Sequence, residues 1–134
     1  NTFKSELVCE HGKYFVKPYG AKIEVTGNKS FMLAEKKVQA GEIILGVRPE
    51  HFKLTDANDP AAIACKITVN EMMGSELHIH ALTENGEKLI VRIPTVTLDD
   101  ETRHSMVYGK TIYVTFEGKV MHFFDKETEQ NLLV

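Results

Sequence analysis

Cysteine is scarce in this chain, and the two that occur, Cys9 and Cys65, stand far apart with no Cys-x-x-Cys spacing. That fits two reduced, partly buried thiols of a cytosolic protein better than a zinc or redox motif, and nothing in the spacing supports the alternative of a bridge between them. Long hydrophobic runs are missing too. The longest, such as Ile43-Ile44-Leu45-Gly46-Val47, fall far short of the ~20 residues that span a bilayer, so direct membrane insertion is not expected. Charge of one sign is not concentrated: the net charge is −3 and the lysines are scattered, which leaves no basic stripe to follow a phosphate backbone. Nucleic acid is therefore not an expected ligand. No internal repeat or low-complexity linker interrupts the chain, and with no initiator Met, signal segment or targeting tail it reads as a piece of a longer protein.

What is present is an ordinary globular composition, 43% hydrophobic and 26% charged over 134 residues. A chain of this length buries roughly two thirds of its unfolded surface and forms a core as one domain, residues 1–134, without covalent staples. Short apolar-polar alternations recur between turn signals, the mark of an antiparallel barrel or sandwich. Strands are expected over Thr2 to Glu10, answered by Tyr14-Phe15-Val16, then over Ala21 to Val25 and Ile43 to Val47. From Ile63 onward Ile63, Cys65, Ile67 and Val69 take one face, and Leu77, Ile79 and Ala81 continue inward with His78 and His80 outward. Asn85-Gly86 is the strongest hairpin signal, leading into Leu89 to Ile93. Thr111 to Phe116 and Val120 to Phe124 read as a closing hairpin. One short helix is expected over Ser30 to Val38, with Ser30 as its N-cap and Gly41 as its stop. Thr55 to Pro60 reads as a polar loop, and Asp99-Asp100-Glu101 as a solvated acidic connector.

Catalytic signals are thin. A phosphate cradle needs Gly, four residues, then Gly-Lys-Ser/Thr opening a helix, and Gly109-Lys110-Thr111 supplies only the last three before a β-rich run. There is no Leu-Ser-Gly-Gly stretch, no apolar strand ending in paired Asp-Glu and no Gly-x-Ser-x-Gly elbow. His78 and His80 have a spacing open to metal, with His51 or His122 as a conceivable third ligand. No cysteine or carboxylate is spaced to complete the set, and the two read as solvent-facing imidazoles. Tyr14, Tyr19, Tyr113 and the pair Phe123-Phe124 cannot all point inward in alternating strands, so some of them cap the barrel ends or meet a partner.

The most specific string is Gly46-Val47-Arg48-Pro49-Glu50-His51. Proline removes a donor and fixes φ, so the strand must end there, and in an extended segment Arg48 and Glu50 share a face, which suits a charge pair pinning the corner. The string resembles the Gly-x-Arg-Pro-Glu signature of the C-terminal domain in ATPase subunits of maltose-type and multiple-sugar-type ABC importers. Three more segments resemble that family in the same order: Asn1-Thr2-Phe3, Asn70-Glu71-Met72-Met73-Gly74-Ser75-Glu76, and His122-Phe123-Phe124-Asp125. Met73 stands where Leu is commoner. The resemblance implies an all-β, partly open OB-fold-like barrel of short antiparallel strands with one short helix, of the TOBE/MOP-like kind and related to small molybdate-binding domains. It implies a parent ATPase, with ATP and Mg bound in a domain that this chain lacks, driving solute uptake from the inner face of the cell membrane. It implies as partners a second copy of the subunit, membrane permease subunits and a regulatory protein. The chain itself is expected to carry no catalytic, cofactor or metal site. Gly46, Arg48, Pro49 and Glu50 are expected as a structural corner; His51, Gly74, His78, His80, His122, Phe123 and Asp125 are the candidates for an interface or regulator surface. Two other readings remain: a stand-alone binder of a small oxyanion such as molybdate, and a nucleic-acid-binding barrel, which would need stacking aromatics beside a basic groove.

Overall fold

A computed structural model describes residues 1–133, and its architecture is the expected all-β one. Ten antiparallel strands form two unclosed five-stranded sheets. The first runs β10-β4-β1-β2-β3, with β1 at Thr2–Glu10, β2 at Lys13–Val16, β3 at Ile23–Glu24, β4 at Gly41–Gly46 and β10 at His122–Asp125. The second runs β5-β9-β6-β7-β8, with β5 at Phe52–Thr55, β6 at Ile63–Met73, β7 at Glu76–Thr83, β8 at Lys88–Pro94 and β9 at Thr111–Phe116. Each sheet turns one face inward, as period-2 alternation requires. Phe3, Leu7, Leu45 and Phe123 of the first meet Ile63, Ile67, Ile79, Val91 and Val114 of the second in one apolar core. Phe116 links the two sheets, meeting Phe3 of the first at 6.4 Å between centroids, and packs edge-on at 5.7 Å against Phe52 of its own sheet.

Several local expectations differ from what forms. Thr111–Phe116 and His122–Asp125 are not a hairpin. The first pairs with β5 and β6 and the second with β4, so the chain changes sheets between them. A local turn signal was outweighed by ladders to strands distant in sequence. The crossing brings Gly118 against the end of β3, where Thr26 N donates to its carbonyl at 3.0 Å. Val69 was expected inside and is 46% exposed, because a bulge between Ile67 and Val69 shifts the alternation by one residue.

The helix α1 spans Asn28–Glu35 and buries Leu33, but Gly27 holds its N-cap position without a side-chain bond, and Ser30 lies inside it. It closes well before Gly41. Lys37 takes a positive φ of 53°, while Lys37 N and Val38 N return to the Ala34 and Leu33 carbonyls, the arrangement that ends many helices. The acidic connector begins a second helix, α2, at Asp100–Ser105, rather than a free loop. Asp99 caps it by accepting from Thr102 N at 2.7 Å, and Asp100 and Glu101 sit in the first turn, where the helix dipole favours negative charge.

Candidate interaction surface

Three of the four resembling strings end up side by side. In the β1-β4-β10 register Thr2 faces Gly46 and Gly46 faces His122, while Phe3, Leu45 and Phe123 line up in the next row. Alternation sends that second row into the core. Phe123, expected on the surface, is completely buried, and its neighbour Phe124 takes the outer face instead, half-buried. Phe124 lines an outer groove of about 240 Å3 with Ile44, Thr2 and Glu129. The Phe124 ring packs over buried Gly46, where a Cβ would lie 2.9 Å from the ring and 3.7 Å from the His122 Cβ.

Past Gly46 the strand ends as expected. Arg48 is extended, Pro49–His51 forms one 3-10 turn with Pro at its first position, and His51 N donates to the Arg48 carbonyl at 3.0 Å. The expected Arg48-Glu50 pair does not form. A 3-10 turn advances about 120° per residue, so side chains two apart diverge instead of sharing a face. Arg48 stands exposed with no carboxylate within ion-pair distance among the described residues. The bidentate fork is made elsewhere: Arg92 donates to both Glu76 oxygens at 3.0 and 2.9 Å across β7 and β8, and holds that carboxyl below the usual range.

The corner carries charges of both signs, with exposed Glu50 in the turn between Arg48 and His51. Partial burial lowers the pKa of His122, and the nearby Lys29, Arg48 and His51 lower it further. His51 sits in the corner turn and His122 on β10 opposite Gly46, whereas His78 and His80 lie on β7 of the other sheet. The latter two face outward, and His80 Nε2 lies 3.6 Å from Glu71. Gly74 takes φ 64° in the tight turn that joins β6 to β7, a conformation that favours glycine. Asp125 spends its carboxylate on a turn, accepting from Glu127 N and Thr128 N at 2.9 Å each, which keeps its pKa low. Ile44 was not foreseen here, and of the pair Phe123-Phe124 the sequence did not say which points outward. Phe124 was recoverable from alternation once Phe123 was placed inward. The two thiols also differ from expectation: Cys9 is exposed, and only Cys65 is buried.

Comparison with known proteins agrees with this architecture. A family model described as the TOBE domain matches residues 45–124. Over 97% of its length the chain is 32% identical to YurJ, an ABC transporter ATP-binding protein of Bacillus subtilis, and over 96% it is 32% identical to MsmX, an oligosaccharides import ATP-binding protein of the same organism. A lactose transport ATP-binding protein of Rhizobium radiobacter, LacK, is 32% identical over 65% of the chain and 22% of its own length. The chain spans about a third of the length of the first two, 34% and 33%. Among solved structures, the cytoplasmic molybdate-binding protein ModG superposes with a TM-score of 0.69 over 92% of this chain and 94% of that one, at 11% identity. That likeness establishes the fold.

Proposed function

Because the chain belongs to the TOBE domain family, we propose that it is the C-terminal regulatory and dimerisation domain of the ATPase subunit of a carbohydrate ABC importer. The observation that carries this is the similarity of nearly the whole chain to one third of an oligosaccharides import ATP-binding protein. In this reading ATP and Mg bind in the remainder of the parent protein, which hydrolyses ATP to drive sugar uptake. This domain contributes no catalysis. It supplies contact with a second copy and a docking face for a regulator, and it reaches the inner face of the cell membrane through the permease subunits.

The physical reason for such a domain is kinetic. Two ATPase units must part after hydrolysis, and a lasting contact elsewhere keeps them at an effective concentration of about a millimolar, so that they close again. A twofold arrangement uses the same patch on both copies. Sedimentation equilibrium of the chain across a concentration series tests the tether. A saturable monomer-to-dimer transition supports it, and a strict monomer places the tether elsewhere in the parent complex. A saturable thermal shift with molybdate would instead favour a small-oxyanion binder.

A further inference from the structure

The β6-β7 hairpin runs past the end of β9 and leaves part of one edge bare. β9 pairs with β6 only over Ile63 to Lys66, and the loop before it adds two bonds, from Ile67 N to the Lys110 carbonyl and from Gly109 N to the Ile67 carbonyl. Beyond Ile67 that edge of β6 has no backbone partner among the described residues. Which groups it presents follows from the far side of the sheet. Ile90 N donates to the Asn1 side chain, so the Ile90 backbone points away from β7, and His80 opposite it must bond β6 instead. The two-residue turn at Gly74-Ser75 sets the same phase, since Met73 and Glu76 close it. Val69, Glu71 and Met73 therefore spend their backbone groups on β7, while the N–H and C=O of Asn70 and Met72 face outward.

Little blunts this edge. Natural edge strands are protected by proline, lysine or a cover, yet Asn70 to Met73 holds neither proline nor lysine, and Met72 and Met73 are 54% and 53% exposed. Beside the edge lies a groove of about 450 Å3, with Asn70, Met72 and Leu77 on one side and Arg103 and His104 of α2 on the other. Both α2 side chains are already engaged within the helix, Arg103 with the Asp100 carboxylate at 2.9 Å and His104 Nδ1 with the Asp100 carbonyl at 2.7 Å. The groove therefore suits an apolar guest.

We infer that this edge docks an extended segment of a partner protein as an added antiparallel strand, with two apolar side chains lodged in the groove beside Met72 and a basic one between them over Glu71. The occupant is set by what is left unpaired. Outward N–H and C=O groups alternating at strand spacing match another extended backbone rather than a small ligand. Guest residues opposite Asn70 and Met72 share the face of buried Leu77 and Ile79, which opens onto the groove, and the residue between them lies on the outer face opposite Glu71. A second copy fits worse. The twofold register that pairs Asn70 with Met72 in both directions sets Glu71 directly against its own copy, and a slip by two residues keeps only part of the bonding. The inference deepens the docking role proposed above and rests on it only for the existence of a protein partner.

The probe is the acetylated and amidated peptide Thr-Val-Lys-Val-Thr, titrated into the 15N-labelled chain. Amide shifts are expected at residues 69–73 and 103–104, with slowed hydrogen exchange at Asn70 and Met72. N-methylation of both valines, whose amides face β6, is expected to weaken binding about tenfold, whereas N-methylation of the lysine, whose amide faces away, should leave it unchanged. Met72→Pro removes an outward N–H that β7 does not use and should cost a similar factor. Glu71→Lys should weaken the peptide about threefold and be compensated by a peptide with Glu in place of Lys. Lys13→Gln, on β2 of the other sheet, should leave binding unchanged. Absence of binding, shifts centred elsewhere, or indifference to which amides are methylated would overturn the inference. So would peptide-free shifts at 69–73 that grow with protein concentration, which would put a second copy on the edge. The tether is read by sedimentation and this docking by the methylation pattern, so the two readings fail separately.

Discussion

The Phe124 ring occupies the space that a side chain on Gly46 would need: a Cβ built there falls 2.9 Å from the ring edge. Two strings separated by more than seventy residues thus explain each other, the glycine of one making room for the aromatic of the other. Gly46→Ala is expected to cost about 1 to 3 kcal/mol, the usual range for overpacking. Combined with Phe124→Leu it should cost less than the sum of the single changes, by ~1 kcal/mol. Urea unfolding of the four proteins of this cycle measures the coupling, and simple additivity would show that the ring is free to move away.

Gly118 meets backbone instead of a side chain. A Cβ there would overlap the Glu24 carbonyl, which cannot swing aside without breaking the end of β3. Gly118→Ala should therefore destabilise by about 3 kcal/mol. Unlike Gly46→Ala, it should not be rescued by trimming a neighbouring side chain such as Thr26. Thermal unfolding of Gly118→Ala with and without Thr26→Ala distinguishes the two situations.

The Arg92-Glu76 fork should make stability depend on pH. Arg92 keeps the Glu76 carboxyl below its ordinary pKa in the folded chain. Its contribution is therefore fully present above the unfolded carboxylate value of ~4.3 and is lost as pH falls through the lower, folded one. Asp59, Asp99 and Asp125 are depressed in the same direction by hydrogen bonds to their carboxylates. Melting temperature should hence drop on acidification in the parent chain, and less steeply in Glu76→Gln. Equal slopes would mean that the fork is as well satisfied by water as by its partner.

Cys9 and Cys65 should separate cleanly in reactivity. Burial pushes the Cys65 thiol up to about 11 and shields it from solvent, while Cys9 is exposed on β1. A maleimide at neutral pH should add once to the native chain, at Cys9, and a second time only after denaturation. Peptide mass mapping reads the site, and native labelling of Cys65 would indicate that the β6-β9 region opens readily.

The sequence alone determined the class of this protein, the bounds of β1 and β9, the outward placing of His78 and His80, and the strand end at Arg48-Pro49, because alternation, glycine turns and proline act within a few residues. It also determined the family resemblance, since four short strings kept their order. Tertiary structure decided which strands pair. The β9-β10 turn signal gave way to ladders on separate sheets, and one bulge turned Val69 outward, because pairing and register are settled by which apolar faces can be buried together. It likewise decided that Phe123 is core and Phe124 surface, and that Arg48 and Glu50 diverge. Gly46 makes room for Phe124 for the same reason: a contact between distant segments is a relation that no local pattern records.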